Sequence, residues 1–262
     1  MRKVVAILGP PERWVPLCRE HRQLADFTCV SPVQGIPIDD ASFSLFLVDL
    51  FSGRFETLVA TCPTVIDAMV QMTKGRKMLD RLKEAVTRTE LVVIGERTSQ
   101  AAARYGLKVS SVSPDATTDS LVAHINSAPH RGSIALLRSD QGSQQMVSDL
   151  ASSGWKVEQV PVYSLHLDEG EGMEALLDRM EDGGVDALVF PTPAHAQAFM
   201  LQLEGRDGKE NALMLLEGIL VAAMGRETKE WLEEYGAKVS LVPERADARS
   251  MLISLVSKLE DQ

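Results

Sequence analysis

The chain has no long hydrophobic run. Its longest apolar stretches, Lys3-Val-Val-Ala-Ile-Leu-Gly9 and Phe43-Ser-Leu-Phe-Leu-Val48, fall far short of the roughly 20 residues that a membrane-spanning helix needs. Met1-Arg2-Lys3 leads straight into the first of them, without the pattern of a signal peptide. Cysteine is scarce: Cys18, Cys29 and Cys62 are an odd number with no Cys-x-x-Cys spacing. That excludes a disulfide framework and a zinc site and fits a reducing, cytoplasmic setting. Basic charge is outnumbered, 27 Lys and Arg against 37 Asp and Glu, for a net charge of −10. The footprint of a nucleic-acid binder is therefore missing, and any anionic ligand must be held by local groups. Gly-x-Gly-x-x-Gly, Walker, His-Glu-x-x-His and Gly-x-Ser-x-Gly motifs are all absent. The five histidines, His21, His124, His130, His166 and His195, show no ligand spacing and read as surface or satisfied polar residues. No metal and no cofactor is expected.

What is present is an ordinary globular composition, 45% hydrophobic over 262 residues, enough for one large domain or two small ones. Strand-like runs at 4–8, 58–60, 91–94, 108–112, 134–137, 187–190, 219–224 and 238–242 alternate with amphipathic helical stretches such as 99–105, 120–125, 144–151 and 229–235. Strands alternating with helices predict an α/β fold with parallel sheets covered on both faces. The chain also repeats at an offset of 130. Gly95-x-x-Thr98 matches Gly225-x-x-Thr228, and Tyr105-Gly-x-Lys-Val-Ser110 matches Tyr235-Gly-x-Lys-Val-Ser240. Aligned without gaps, 43–122 and 173–252 share 18 of 80 residues, against roughly five by chance, which indicates duplication. The repeat decides one ambiguous segment. Phe43–Phe51 has a strand-like composition, but Met173, Leu176, Leu177 and Met180 in its partner have helical spacing, so 43–51 is expected to be a buried helix.

Two proline-bearing extended stretches, Phe27–Ile38 and Lys156–Leu167, follow equivalent strand–helix units, 4–8 with 12–23 and 134–137 with 144–153. They predict two similar doubly wound, flavodoxin-like parallel-sheet lobes. The first comprises 1–32 plus 168–262 and the second 40–158, with 33–39 and 159–167 as a two-stranded β connector. Such a connector is a natural hinge beside a ligand cleft.

Four strands end in helix starts rich in small hydroxyl residues: Ala60-Thr61-Cys62-Pro63-Thr64, Gly95-Glu-Arg97-Thr98, Phe190-Pro-Thr192-Pro-Ala194 and Gly225-Arg226-Glu-Thr228. Helix N-termini at the carboxyl ends of parallel strands bind carboxylates or phosphates. Ordinary N-capping accounts for any one of them. The four together point to a multiply charged anion held mainly by amides. Arg97, Arg138 and Arg226 offer cationic contacts, Arg138 at the rim of the loop Ser139-Asp-Gln-Gly-Ser143. Tyr163, in Val160-Pro-Val-Tyr163, reads either as a general acid or as an aromatic packed in a β-ladder, and both readings stay open.

Nearly the whole chain resembles the uroporphyrinogen-III synthase family. The resemblance rests on Thr61-Cys-Pro63 and Pro191-Thr-Pro193, which look like the family's Thr-Ser-Pro helix starts, and on both Gly-x-x-Thr turns. It rests also on Leu136-Leu-Arg138 with Gly142 and on Val160-Pro-Val-Tyr163. The chain departs from the pattern at Gly9-Pro10-Pro11, where the family often has Arg, and at Cys62, where Ser is usual. The resemblance implies a cofactor-free cyclisation of hydroxymethylbilane, a linear tetrapyrrole with eight carboxylates. Its terminal ring is inverted and water is lost. Tyr163 would assist departure of the hydroxyl, and Thr61, Cys62, Thr64, Gly95, Arg97, Thr98, Arg138, Ser139, Thr192, Ala194, Gly225, Arg226 and Thr228 would bind substrate. It further implies a monomer that binds neither nucleic acid nor membrane. The alternative is a tetrapyrrole- or anion-sensing regulatory protein that kept the fold without the chemistry. The missing Arg and the acidic charge lean that way; both Gly-x-x-Thr turns, Arg138 and Tyr163 lean toward the synthase.

Overall fold

The structure is a computed structural model and describes residues 2–115, 117–142 and 144–260. Met1 and Ser143, which belong to the N-terminal run and the 139–143 loop singled out above, lie outside the described residues, as do Ala116 and the last two residues.

The described residues form two compact units, 1–34 with 167–262 and 35–166. Seven strand pairings are parallel, whereas the segment 32–38 runs antiparallel to 162–168, the Ile38 amide donating to the Val162 carbonyl and the Asp168 amide to the Pro32 carbonyl. The first unit carries β1 (Lys3–Leu8), β2 (Ala25–Val30), β9 (Ala187–Phe190) and β10 (Leu220–Ala223), in the order β10-β9-β1-β2. The other sheet has β3 (Val33–Pro37), β4 (Thr57–Ala60), β5 (Glu90–Val93), β6 (Ser111–Val112), β7 (Ser133–Ser139) and β8 (Lys156–Leu167), in the order β3-β8-β7-β4-β5-β6. Equating β1 with β7, β2 with β8, β9 with β4 and β10 with β5 superposes the two orders, with β3 and β6 as the extra strands at the two edges of the larger sheet.

The strands read as continuous apolar runs because both faces are buried. Val4, Ala6 and Leu8 of β1 enter one core and Val5 and Ile7 another. The first is covered by α8 (Glu171–Glu181), α9 (Pro193–Leu215) and α10 (Arg226–Tyr235), the second by α1 (Pro11–Cys18) and α11 (Ala248–Glu260). In the other unit, α2 (Ala41–Ser52), α3 (Pro63–Gly75), α4 (Leu79–Arg88) and α5 (Gly95–Arg104) cover one face, and α6 (Thr118–Asn126) and α7 (Gln145–Ser152) the other.

Helix α2 is where the repeat predicts it. Phe43, Phe46, Leu47 and Leu50 face the core at helical spacing, Asp40 accepts the Phe43 amide at the N-cap, and Gly53 closes the helix with φ +79°. Three other expectations need correction. The run 108–112 pairs only at Ser111–Val112, and 238–242 makes a single bridge, Ala222 to Leu241. Both lie at the margin of their sheets, where a ladder has a partner on one side only. The helix expected over 12–23 stops at Cys18 and continues as one 3₁₀ turn, Arg19–His21, before β2. Apart from these three, the stretch 27–38 holds two strands, β2 and β3, that belong to different sheets.

Candidate functional site

The parallel order brings the carboxyl ends of β4, β5, β7 and β8 to one edge of the larger sheet. Tyr163 on β8 lies in register beside Ser139 of β7, where the pairing shifts between Arg138 and Ser139. Such irregularities re-aim side chains. The Tyr163 hydroxyl is 3.5 Å from Cys62 Sγ at the start of α3. The ring lies against Gly35 of β3, whose open face also meets the Thr64 methyl; a Cβ there would stand 3.2 Å from the ring. Burial, followed by the neighbouring Cys62 and Asp140, pushes the Tyr163 phenol well above the ordinary tyrosine range, opposed by a hydrogen bond from Ser139. The group is therefore a neutral donor at physiological pH, not a base.

Cys62 occupies the N-cap of α3 but makes no side-chain cap bond; its sulfur turns to the phenol instead. The first-turn amides of α3 thus lack the acceptor that Ser or Thr would supply. Thr61 donates its hydroxyl to the Leu137 carbonyl, 3.2 Å away, tying the end of β4 to β7. Thr64 and Arg97 are exposed. Gly95 has φ +67°, and its amide donates to the Ser113 hydroxyl at 3.3 Å, which leaves it engaged within the protein.

Arg138 departs from the expected rim position. It turns inward and is only 6% exposed. Its Nη1 donates to Gln159 Oε1 at 3.3 Å, Gln159 in turn donates to Gln144, and Gly142 packs directly on the guanidinium. No acidic side chain pairs with it among the described residues. Burial lowers its pKa from the usual arginine value, partly offset by the nearby Tyr163. The cause of the inward turn is β-alternation: Ile134, Leu136 and Arg138 share the face covered by α6 and α7.

In the first unit, Thr192 caps α9 by accepting the His195 amide, and its hydroxyl lies 2.7 Å from His195 Nδ1. Ala194 is half-buried in the same turn. Burial, then Arg13, holds the His195 imidazole down at about 4, so the ring is neutral. Metal-ligand spacing gives no sign of His195, although Thr192-x-x-His195 is a recognisable capping spacing. Nearby, Gly9 is pressed against the Trp14 indole and Pro191; a Cβ would fall 2.6 Å from Trp14 Nε1. Arg13 lies over the Trp14 ring, 5.0 Å from its centroid, two residues beyond Pro11. Gly225 is the half-buried N-cap of α10, and Arg226 is 86% exposed and paired with Glu230.

The hydroxyl residues of the two Gly-x-x-Thr turns differ from expectation. Thr98 and Thr228 are 1% and 3% exposed. Three positions after each glycine, the helix has rotated the side chain toward the sheet. Both therefore belong to the packed interior. Among the described residues no cluster of three or more His, Cys, Asp or Glu could hold a metal, and no helix is long and apolar enough to cross a membrane.

The larger sheet of this α/β protein thus brings an uncapped helix start, a buried guanidinium without an acidic partner and a neutral phenol to the carboxyl ends of its parallel strands. Comparison with known proteins narrows the class. Residues 31–253 match the family described as Uroporphyrinogen-III synthase HemD. A Methanothermobacter thermautotrophicus protein provisionally named uroporphyrinogen-III synthase is 32% identical over 98% of this chain and 99% of its own length. The Chlorobaculum parvum uroporphyrinogen-III synthase is 25% identical over 98% of this chain and all of its own. Among solved structures, a mutant uroporphyrinogen III synthase from Thermus thermophilus has a TM-score of 0.65 at 20% identity, covering 99% of this chain and 100% of that one. The uroporphyrinogen-III synthetase of Helicobacter pylori 26695 also scores 0.65, at 17% identity, over 98% of this chain and 100% of its own. The chain belongs to the uroporphyrinogen-III synthase family, enzymes of tetrapyrrole and heme biosynthesis.

Proposed function

We propose that this chain cyclises hydroxymethylbilane to uroporphyrinogen III without a cofactor, as a hydro-lyase. The observation that carries the reading is Tyr163: a phenol kept protonated by burial, next to Cys62 and Ser139 at the carboxyl ends of parallel strands. A neutral phenol donates a hydrogen bond to the departing hydroxyl, which leaves as water once it has taken a proton. The resulting azafulvene cation is attacked by the substituted carbon of the last ring. The spiro intermediate then fragments and recloses with that ring inverted, and a proton is released. Since the bilane closes without inversion on its own, the protein's task is to hold one conformation.

The grip is built from charge and amides. Arg138, buried without an acidic partner, gains a substrate carboxylate as counter-ion. The uncapped first turn of α3 offers amides to another. Cys62, Ser139, Thr61 and Thr64 surround that point, Arg97 adds charge, and Gly95 shapes the turn. In the other unit Thr192, Ala194, Gly225 and Arg226 are assigned the same role. Thr98 and Thr228, being interior, support these turns from beneath. The same proposal includes the two similar doubly wound lobes, 1–32 with 168–262 and 40–158, the connector segments 33–39 and 159–167, a monomeric state and a cytoplasmic location. The regulatory alternative is not favoured, since the named relatives above are synthases. Incubation with freshly made hydroxymethylbilane and separation of the isomers tests the proposal. Isomer III is expected; isomer I alone at the uncatalysed rate refutes it.

A further inference from the structure

Two of the three cysteines lie far from Tyr163 in sequence and close to each other in space. Cys18 ends α1 and Cys29 lies in β2, the outer strand of the four-stranded sheet, and their sulfurs are 3.9 Å apart. A disulfide needs about 2.05 Å, so rotation of the two side chains by roughly 2 Å at the sulfurs would join them. Cys18 is buried, whereas Cys29 is half-buried. Both open onto a surface pocket of about 370 Å³ that also presents Arg2, Arg19 and Arg22. Arg2 is paired with Asp26, 3.6 Å away. Arg19 and Arg22 pair with no acidic side chain among the described residues and leave the pocket a net positive charge. Either thiol can donate to the other at this distance, and the shared contact lowers the Cys29 pKa and raises that of Cys18. The half-buried Cys29 is the sulfur a dissolved disulfide can reach and so the attacking partner, and the buried Cys18 behind it is the resolving one.

We propose that the Cys18–Cys29 pair is a thiol–disulfide exchange site that takes a small anionic disulfide, of the class of oxidised glutathione, in the adjoining arginine-lined pocket. The Cys29 thiolate attacks one sulfur of the bound disulfide. That S–S bond breaks, a mixed disulfide forms on Cys29, and the first thiolate leaves with the proton Cys29 gave up. Cys18 then loses its proton, attacks the Cys29 sulfur and expels the second thiolate, which takes that proton. The protein loses two hydrogen atoms, the small disulfide is reduced to two thiols, and no other oxidant is required. The product bond closes a short loop between α1 and β2 and leaves Cys62 free.

The test is intact-mass and peptide mapping of the full chain after exposure to oxidised glutathione, with free thiols alkylated at the end. Wild type and Cys62→Ser should both lose two hydrogen atoms and yield a Cys18–Cys29 linked peptide. Cys18→Ser should stop at a glutathione adduct on Cys29. The oxidised protein should melt higher by about 4–8 °C, because the closed loop constrains the unfolded chain. Arg19→Ala with Arg22→Ala should slow the reaction with oxidised glutathione about five- to tenfold at low salt. It should leave the reaction with uncharged hydroxyethyl disulfide within about twofold. Persistence of three alkylatable thiols in the wild type, or a bridge that includes Cys62, overturns the exchange pair. Equal slowing of both disulfides overturns the anion pocket. Because wild-type mapping does not depend on any variant folding, the pair remains testable if Cys18→Ser is unstable.

Discussion

Tyr163→Phe separates the phenol's chemistry from its packing. The ring stays against Gly35 and Thr64 and within the apolar core of its unit. What is lost is the hydroxyl's weak contact with Cys62 and its bond with Ser139. A typical hydrogen bond contributes about 1 kcal/mol net, so the variant should fold, with a melting temperature lower by about 2–4 °C. A missing general acid commonly costs about 10²–10⁴-fold in rate. Here the cost should be nearer tenfold, about 1.4 kcal/mol of barrier, because azafulvene formation is facile and orientation by Arg138 and the helix amides survives. Isomer III should still dominate. The phenol ionises only above the ordinary tyrosine value of about 10, so the wild-type-to-variant rate ratio should be flat from about pH 6 to about pH 9. The assay is turnover at saturating bilane with separation of the two isomers. A variant rate equal to wild type would refute the assignment of Tyr163.

Arg138→Met should raise KM about tenfold or more while leaving the melting temperature unchanged or higher, since it removes a buried cation that has only a neutral partner in the free protein; parallel losses of stability and binding would contradict this. His195 is neutral in the folded chain down to about pH 4 but protonates near 6.5 when unfolded, so the unfolded state binds the proton first. Stability should therefore fall as pH drops from about 6.5 to about 4, by up to about 3 kcal/mol, and His195→Gln should blunt that fall in denaturant titrations at the two pH values. Gly9→Ala forces a methyl against Trp14 and Pro191 and should cost about 1–3 kcal/mol, read as a lower melting temperature; an unchanged value would mean that the indole yields freely.

Sequence periodicity alone determined the alternation of strands and helices, the duplication, and the helical state of 43–51, where spacing in the partner segment outweighed a strand-like composition. It also located the helix starts at Pro63, Pro193 and Arg226, because caps, prolines and glycines act on the nearest turn. These are local signals, readable within a few residues. Tertiary structure alone decided what depends on packing between distant segments. Tyr163 meets Cys62 across 101 residues because β8, β7 and β4 are adjacent and in parallel register. Arg138 turns inward, and a register shift next to it sets Ser139 beside Tyr163. Thr98 and Thr228 face the interior because, three positions past each glycine, the helix has turned its side chain back toward the sheet on which it packs. Cys18 and Cys29, which the spacing of the sequence marked as unpaired thiols, approach each other because α1 folds back along β2. Side-chain direction at a strand end or helix start is set by register and by docking of the covering helix, and neither leaves a periodic trace in the chain.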